Sequence, residues 1–197
     1  MAWFSKSEIE AMLPDLLKPR AAVDLSKLAH RLARFHLVDN VRGQTLPYAA
    51  SEIMKASLKG EAIAKVGDTI VLAFTGETLA RANGPWLMGD NLWKPRAEKR
   101  YPHGIETKLM GRANVNVKTH EVTDFELLAV GRRWGKTIMN GRGKNAEPGR
   151  LVFHFQLDRS GRRLAPTFIA VYDADWVRHP EIPTWLESPA ECGLTDD

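Results

Sequence analysis

Two sets of residues in this chain have types and spacings that could do chemistry. In GIETKLMG, Ile105, Thr107 and Leu109 alternate with Glu106, Lys108 and Met110, which is the two-residue period of a strand. Residues two apart on a strand project from one face, so the Glu106 carboxylate and the Lys108 ammonium are expected side by side. Asp90 precedes Glu106 with fifteen residues between them, and His103 lies three residues before it. Two carboxylates and a divalent ion polarise a phosphodiester and generate hydroxide, and a nearby histidine can serve as acid or base. The second set is the glycine-rich run GRRWGKTIMNGRGKNAEPGR, where Arg132, Arg133, Lys136, Arg142 and Lys144 could grip a phosphate backbone. Trp134, set among these cations, offers an aromatic face on which an unpaired base could stack.

The charge distribution agrees with a phosphate-rich partner. Residues 90–163 hold 16 Lys/Arg against 8 Asp/Glu, whereas residues 164–197 hold only Arg178 against seven acids, so a net charge of +4 conceals a strongly cationic middle. The hydrophobic fraction of 44% and charged fraction of 26% belong to a chain that folds. Cys192 is the single cysteine, which excludes a disulfide framework and a cysteine-based zinc site and suits a reducing cytoplasm. The N-terminus lacks a basic stretch followed by an apolar run, and no stretch reaches the roughly 18 apolar residues of a membrane span. Neither a signal peptide nor a membrane partner is expected.

Asp90 with Glu106-Thr107-Lys108 resembles the PD-(D/E)xK core of restriction-endonuclease-like nucleases. The resemblance implies magnesium held by Asp90 and Glu106, with Lys108 orienting or activating the attacking water. Gly89 precedes Asp90 where that family often has proline, which leaves Asp68 and Glu77 open as alternative first ligands. A second string, VGRRWGKT at 130–137, resembles the phosphate-binding loop of ATPases, in the arginine-containing version seen in phage terminases. Val130 stands where that pattern has glycine or alanine, and Gly141 and Gly143 interrupt the helix that should follow, so the segment is read as a cationic surface loop.

The elements that must position these groups are read as follows. Helices are expected over SEIEAMLPDLLK, over DLSKLAHRLARFHLV with Asp24 as cap, and from Pro47 to the stop at Gly60. EAIAKVGDTIVLAF reads as two strands turned at Gly67-Asp68, so the N-terminal order is also compatible with a winged helix-turn-helix. TDFELLAVGRR reads as a helix, with a buried strand as the alternative for FELLAV. RLVFHFQL and APTFIAVY flank the DRSGRR turn as a hairpin. The expected fold is α+β: a helical N-terminal third (1–60), then a core (61–180) with a mixed sheet, the long basic loop and the C-terminal hairpin, and an acidic, proline-containing tail (181–197).

The function these readings favour is DNA binding with magnesium-dependent phosphodiester cleavage, DNA being preferred over RNA. A double-strand-cleaving enzyme would act as a homodimer. Two alternatives stand beside it: a non-catalytic nucleic-acid-binding regulator or accessory factor of a phage or plasmid, and a protein-interaction module with a basic surface.

Overall fold

A computed structural model describes residues 9–10, 13, 22–43, 45, 47–84, 101–137 and 140–161. Six strands pair in chain order, every neighbour antiparallel: β1 (Ala22–Asp24), β2 (Ile53–Val66), β3 (Thr69–Gly84), β4 (Tyr101–Asn116), β5 (Glu121–Gly135) and β6 (Gly149–Gln156). Helix α1 (Ser26–Phe35) packs on one face of this meander against β2 and β3.

Alternation builds the sheet. Ile70, Leu72 and Phe74 of β3, Ile105, Leu109, Ala113 and Val115 of β4, and Leu127 and Ala129 of β5 are all buried, and the residues between them face the other way. The turns suit the pairing. Gly67, at φ +58°, lets β2 reverse into β3 through Gly67-Asp68, and the Asn116 side chain accepts the Lys118 and Thr119 N–H groups between β4 and β5. Helix α1 closes the inner face. Its Leu28, Ala29 and Leu32 join Leu58, Ile70, Leu72 and Phe74 in one core, each large side chain contributing about 1.5–3 kcal/mol. Asp24, expected as the helix cap, instead ends β1 one residue before the N-cap Leu25, and its carboxylate accepts the Ser26 N–H at 2.9 Å.

Several expectations are overturned. The N-terminal third is not helical throughout: beyond a single 3-10 turn, Ala50–Glu52, the segment expected as a third helix enters β2. Met54, Lys55, Ala56, Leu58 and Lys59 favour a helix one residue at a time, but pairing with β3 along the strand and with β1 at Lys59–Glu61 outweighs a preference worth tenths of a kcal/mol. The winged helix-turn-helix order falls with that helix. The sheet is not mixed, because every described pairing is antiparallel. TDFELLAVGRR is strand β5, the alternative left open for FELLAV. Its periodicity is obscured because Leu127 and Ala129 face the core while Leu128 and Val130 face outward. The strand runs on to Gly135, so Val130–Gly135 is not a phosphate-binding loop. In the C-terminal hairpin RLVFHFQL is β6, while APTFIAVY lies outside the described residues, as do the tail and most of the first expected helix. Among the described residues no helix is long and apolar enough to cross a membrane.

Gly131 marks a close approach of β5 to β4, since a Cβ built there would collide with the Glu106 carbonyl. Gly131→Ala is therefore expected to destabilise the fold by about 1–3 kcal/mol, as overpacking does. Urea denaturation of the variant beside the wild-type protein measures it.

Candidate nucleic-acid interface

The face of the sheet opposite α1 is open, and its residues fall in cross-strand rows set by the register. Arg81, Gly104 and Trp134 form the first; Leu79, Glu106, Arg132 and Arg150 the second; Glu77, Lys108, Val130 and Val152 the third. Thr75, Met110, Leu128 and His154 follow, then Ala73, Arg112, Glu126 and Gln156.

Neighbours of opposite charge pair across strands. Glu106 Oε2 accepts from Arg132 Nε at 3.1 Å, His154 Nε2 lies 3.0 Å from Glu126 Oε1, and Glu77 takes both Lys108 and Lys55, each at 2.5 Å. The two ammonium groups, Lys108 first, pull the Glu77 carboxyl down to about 2, and Glu77 in turn raises the Lys108 ammonium, with Glu106 adding to it. Exposed pairs of this kind contribute little to stability, but they fix side-chain positions. The cations gather at one end. The first three rows, with Lys55 beside Leu79, hold Lys55, Arg81, Lys108, Arg132 and Arg150 against Glu77 and Glu106, whereas towards the other end of strands β2 to β6 Lys59 and Arg112 meet Glu61, Glu121, Asp124 and Glu126. Asp124 is engaged by Arg159 at 2.9 Å. Arg112 and Arg150 are exposed and have no carboxylate partner among the described residues.

Glu106 and Lys108 lie side by side on this face, as two-residue alternation predicts, and Arg132 and Trp134, expected in a loop, share it with them on strand β5. Of the alternative acids the fold brings Glu77 to Lys108, whereas Asp68 lies in the first turn, 2.8 Å from Lys118. Asp90 lies outside the described residues. Each acid beside Lys108 is already neutralised by a cationic side chain, and among the described residues no three His, Cys, Asp or Glu side chains come together as a metal would need. His103 stands at the start of β4, its Nδ1 2.8 Å from the Tyr101 carbonyl oxygen and its ring tilted on Tyr48 at 5.8 Å. Lys136 is half-buried with its ammonium 5.0 Å from the Tyr101 ring centre, and Lys144 is exposed.

Arg133 and Arg142 do not join this surface. Both are buried around Asp39, which no motif or spacing marks, in the segment that leaves α1. Arg142 grips Asp39 with two bonds of 2.8 Å, Arg133 Nε stands 3.7 Å from the same carboxylate, and Arg133 Nη1 donates to the Asn145 carbonyl at 2.7 Å. The Asp39 hydrogen bond raises the Arg142 pKa further, while burial and the Arg142 charge lower that of Arg133. Thr137 and Asn140 complete the clasp: Asn140 Oδ1 accepts the Thr137 N–H and Thr137 Oγ1 accepts the Asn140 N–H. Gly135, at φ +73°, turns the chain out of β5 into this loop. The loop is thus held by a buried ion cluster rather than offered whole to a partner.

Compared with protein-family models, curated proteins and solved structures, the chain matches none.

Removing the clasp's only carboxylate leaves two buried guanidinium groups uncompensated. Asp39→Asn is expected to cost about 3–5 kcal/mol, read as a lower urea midpoint with an unchanged slope. For Glu77 the folded carboxyl titrates near 2 and the free one near 4.5, so the ion pairs persist above pH 4.5 and are lost as pH falls towards 2. Carboxyl-carbon NMR of the wild-type protein should show that late titration, and Lys108→Met should move it upward.

Proposed function

We propose that the open face of the sheet binds nucleic acid through its phosphates. The observation that carries this reading is the cationic surplus of the first three rows on an exposed face, with Arg112 and Arg150 available at opposite ends of a row of apolar side chains. Cations on an open surface release counterions when they meet a phosphate backbone, which favours binding without sequence preference. Two of the five loop and strand cations expected to grip the backbone, Arg133 and Arg142, serve the buried clasp instead, and the gripping role passes to Arg112 and Arg150. Such a role suits a regulator or accessory factor working in the cytoplasm. Cleavage requires more: Glu106 would have to leave Arg132 and hold a magnesium ion with an acid from outside this cluster, and Lys108 would have to leave Glu77 to orient the attacking water.

Fluorescence anisotropy with labelled DNA and RNA oligonucleotides, titrated at 50–200 mM salt, tests the reading. Affinity is expected to fall steeply and log-linearly with salt, and the double variant Arg112→Glu/Arg150→Glu to bind at least about tenfold more weakly with a shallower salt slope. Binding that is absent at low salt, or unchanged in the double variant, overturns it. Incubating plasmid with magnesium or chelator separates the catalytic version. Fragments that need magnesium and vanish in Glu106→Gln make the protein a nuclease, and intact, retarded DNA makes it a binding protein.

A further inference from the structure

We infer that the nucleic acid this face takes is a single strand, with an unpaired base laid on Trp134; the inference rests on the nucleic-acid reading above. Three observations carry it. Trp134 is half-buried at the end of β5 and its indole sits over Gly104 of β4, whose missing side chain makes the room: a Cβ there would collide with the benzo ring. The sheet therefore holds the indole in place on the outer face, with the Arg81 guanidinium over the ring at 6.0 Å from its centre, a cation that an incoming base would displace.

Next to it the surface is ordered for a chain of alternating bases and phosphates. Arg132 lies two residues from Trp134 on the same face and opposite Arg150, and beyond them the apolar Val130, Val152 and Met110 stand open to solvent, Val152 at 62% and Met110 at 51% exposure. Bases have apolar faces that such side chains can cover, while the arginines take the phosphates. In a duplex those base faces are stacked on each other and closed to an indole.

Width also counts against a duplex. Strands β3 to β6 lie side by side, and at about 4.8 Å between neighbours their axes span roughly 14 Å. The major groove is about 12 Å wide and admits a helix or a two-stranded ribbon, so a four-stranded face meets duplex DNA only at its backbone. The rival occupant is a second copy of this face, because its apolar row could pack on itself. The like charge gathered in the first three rows opposes that.

The test compares one labelled sequence as a single strand and as a hairpin duplex, with wild-type protein, Trp134→Phe and Trp134→Leu. Leucine keeps an apolar side chain over Gly104 but removes the aromatic face. The expected result is a single-strand preference that Trp134→Leu reduces about ten- to hundredfold and Trp134→Phe largely retains, with duplex binding the same in all three. Should Trp134→Leu fail to fold, ultraviolet cross-linking of an iodouracil oligonucleotide to the wild-type protein gives the answer, the adduct mapping to Trp134 if the inference holds. Equal affinity for both forms, a single-strand affinity indifferent to Trp134→Leu, or an adduct elsewhere overturns the single-strand inference and leaves phosphate binding standing. Failure to bind either form overturns phosphate binding itself. A dimer that Val152→Lys dissociates, with single-strand affinity then unaltered by Trp134→Leu, assigns the face to a second copy.

Discussion

The register between β3 and β4 is the constraint on which the rest depends. Thr69 to Gly84 pairs with Asn116 to Tyr101 residue for residue, without a shift anywhere along the ladder. Parity along these two strands decides everything placed on them. It sends Ile70, Leu72, Ile105 and Leu109 to the inner face and Glu77, Glu106 and Lys108 to the open face. A slip by one residue would put the charges in the core and the apolar set in water, a cost no surface contact could offset. Thr78 and Thr107 reinforce the alignment from within, their buried hydroxyls 2.7 Å apart across the two strands.

The same parity divides two consecutive arginines between two tasks. Arg132 points outward to Glu106, and Arg133 points inward to Asp39. One stays hydrated and can exchange its partner for a phosphate. The other is desolvated and bound into the clasp, where release would strand a carboxylate and a second guanidinium in the interior. A basic stretch in a sequence thus need not act as a unit once it is folded into a strand.

What the sequence disclosed follows from how local each signal was. The pairing of Glu106 with Lys108 on one face, the turn at Gly67-Asp68 and the apolar face of α1 were legible because two-residue alternation, glycine at positive φ and helical spacing are written within a few residues. The strand at Ile53–Val66 was not legible, since its residues carry helical preferences and its β partners lie up to 39 positions away in the chain, as Ala22 does from Glu61. Nor was the fate of Arg142, because nothing near it in sequence announces Asp39. Cationic character could be read from composition; which cations face water could not.

Asp39 and Arg142 are separated by 103 positions, and between them lie β2 to β5. The contact can close only after the meander has brought its last long strand into place, so it gives no help in the search for the fold and acts once that search is over. Its effect is then on lifetime rather than on speed of formation. By locking the segment after α1 to the loop beyond β5, the clasp joins the beginning and end of the sheet, and the molecule must break it before either can peel away.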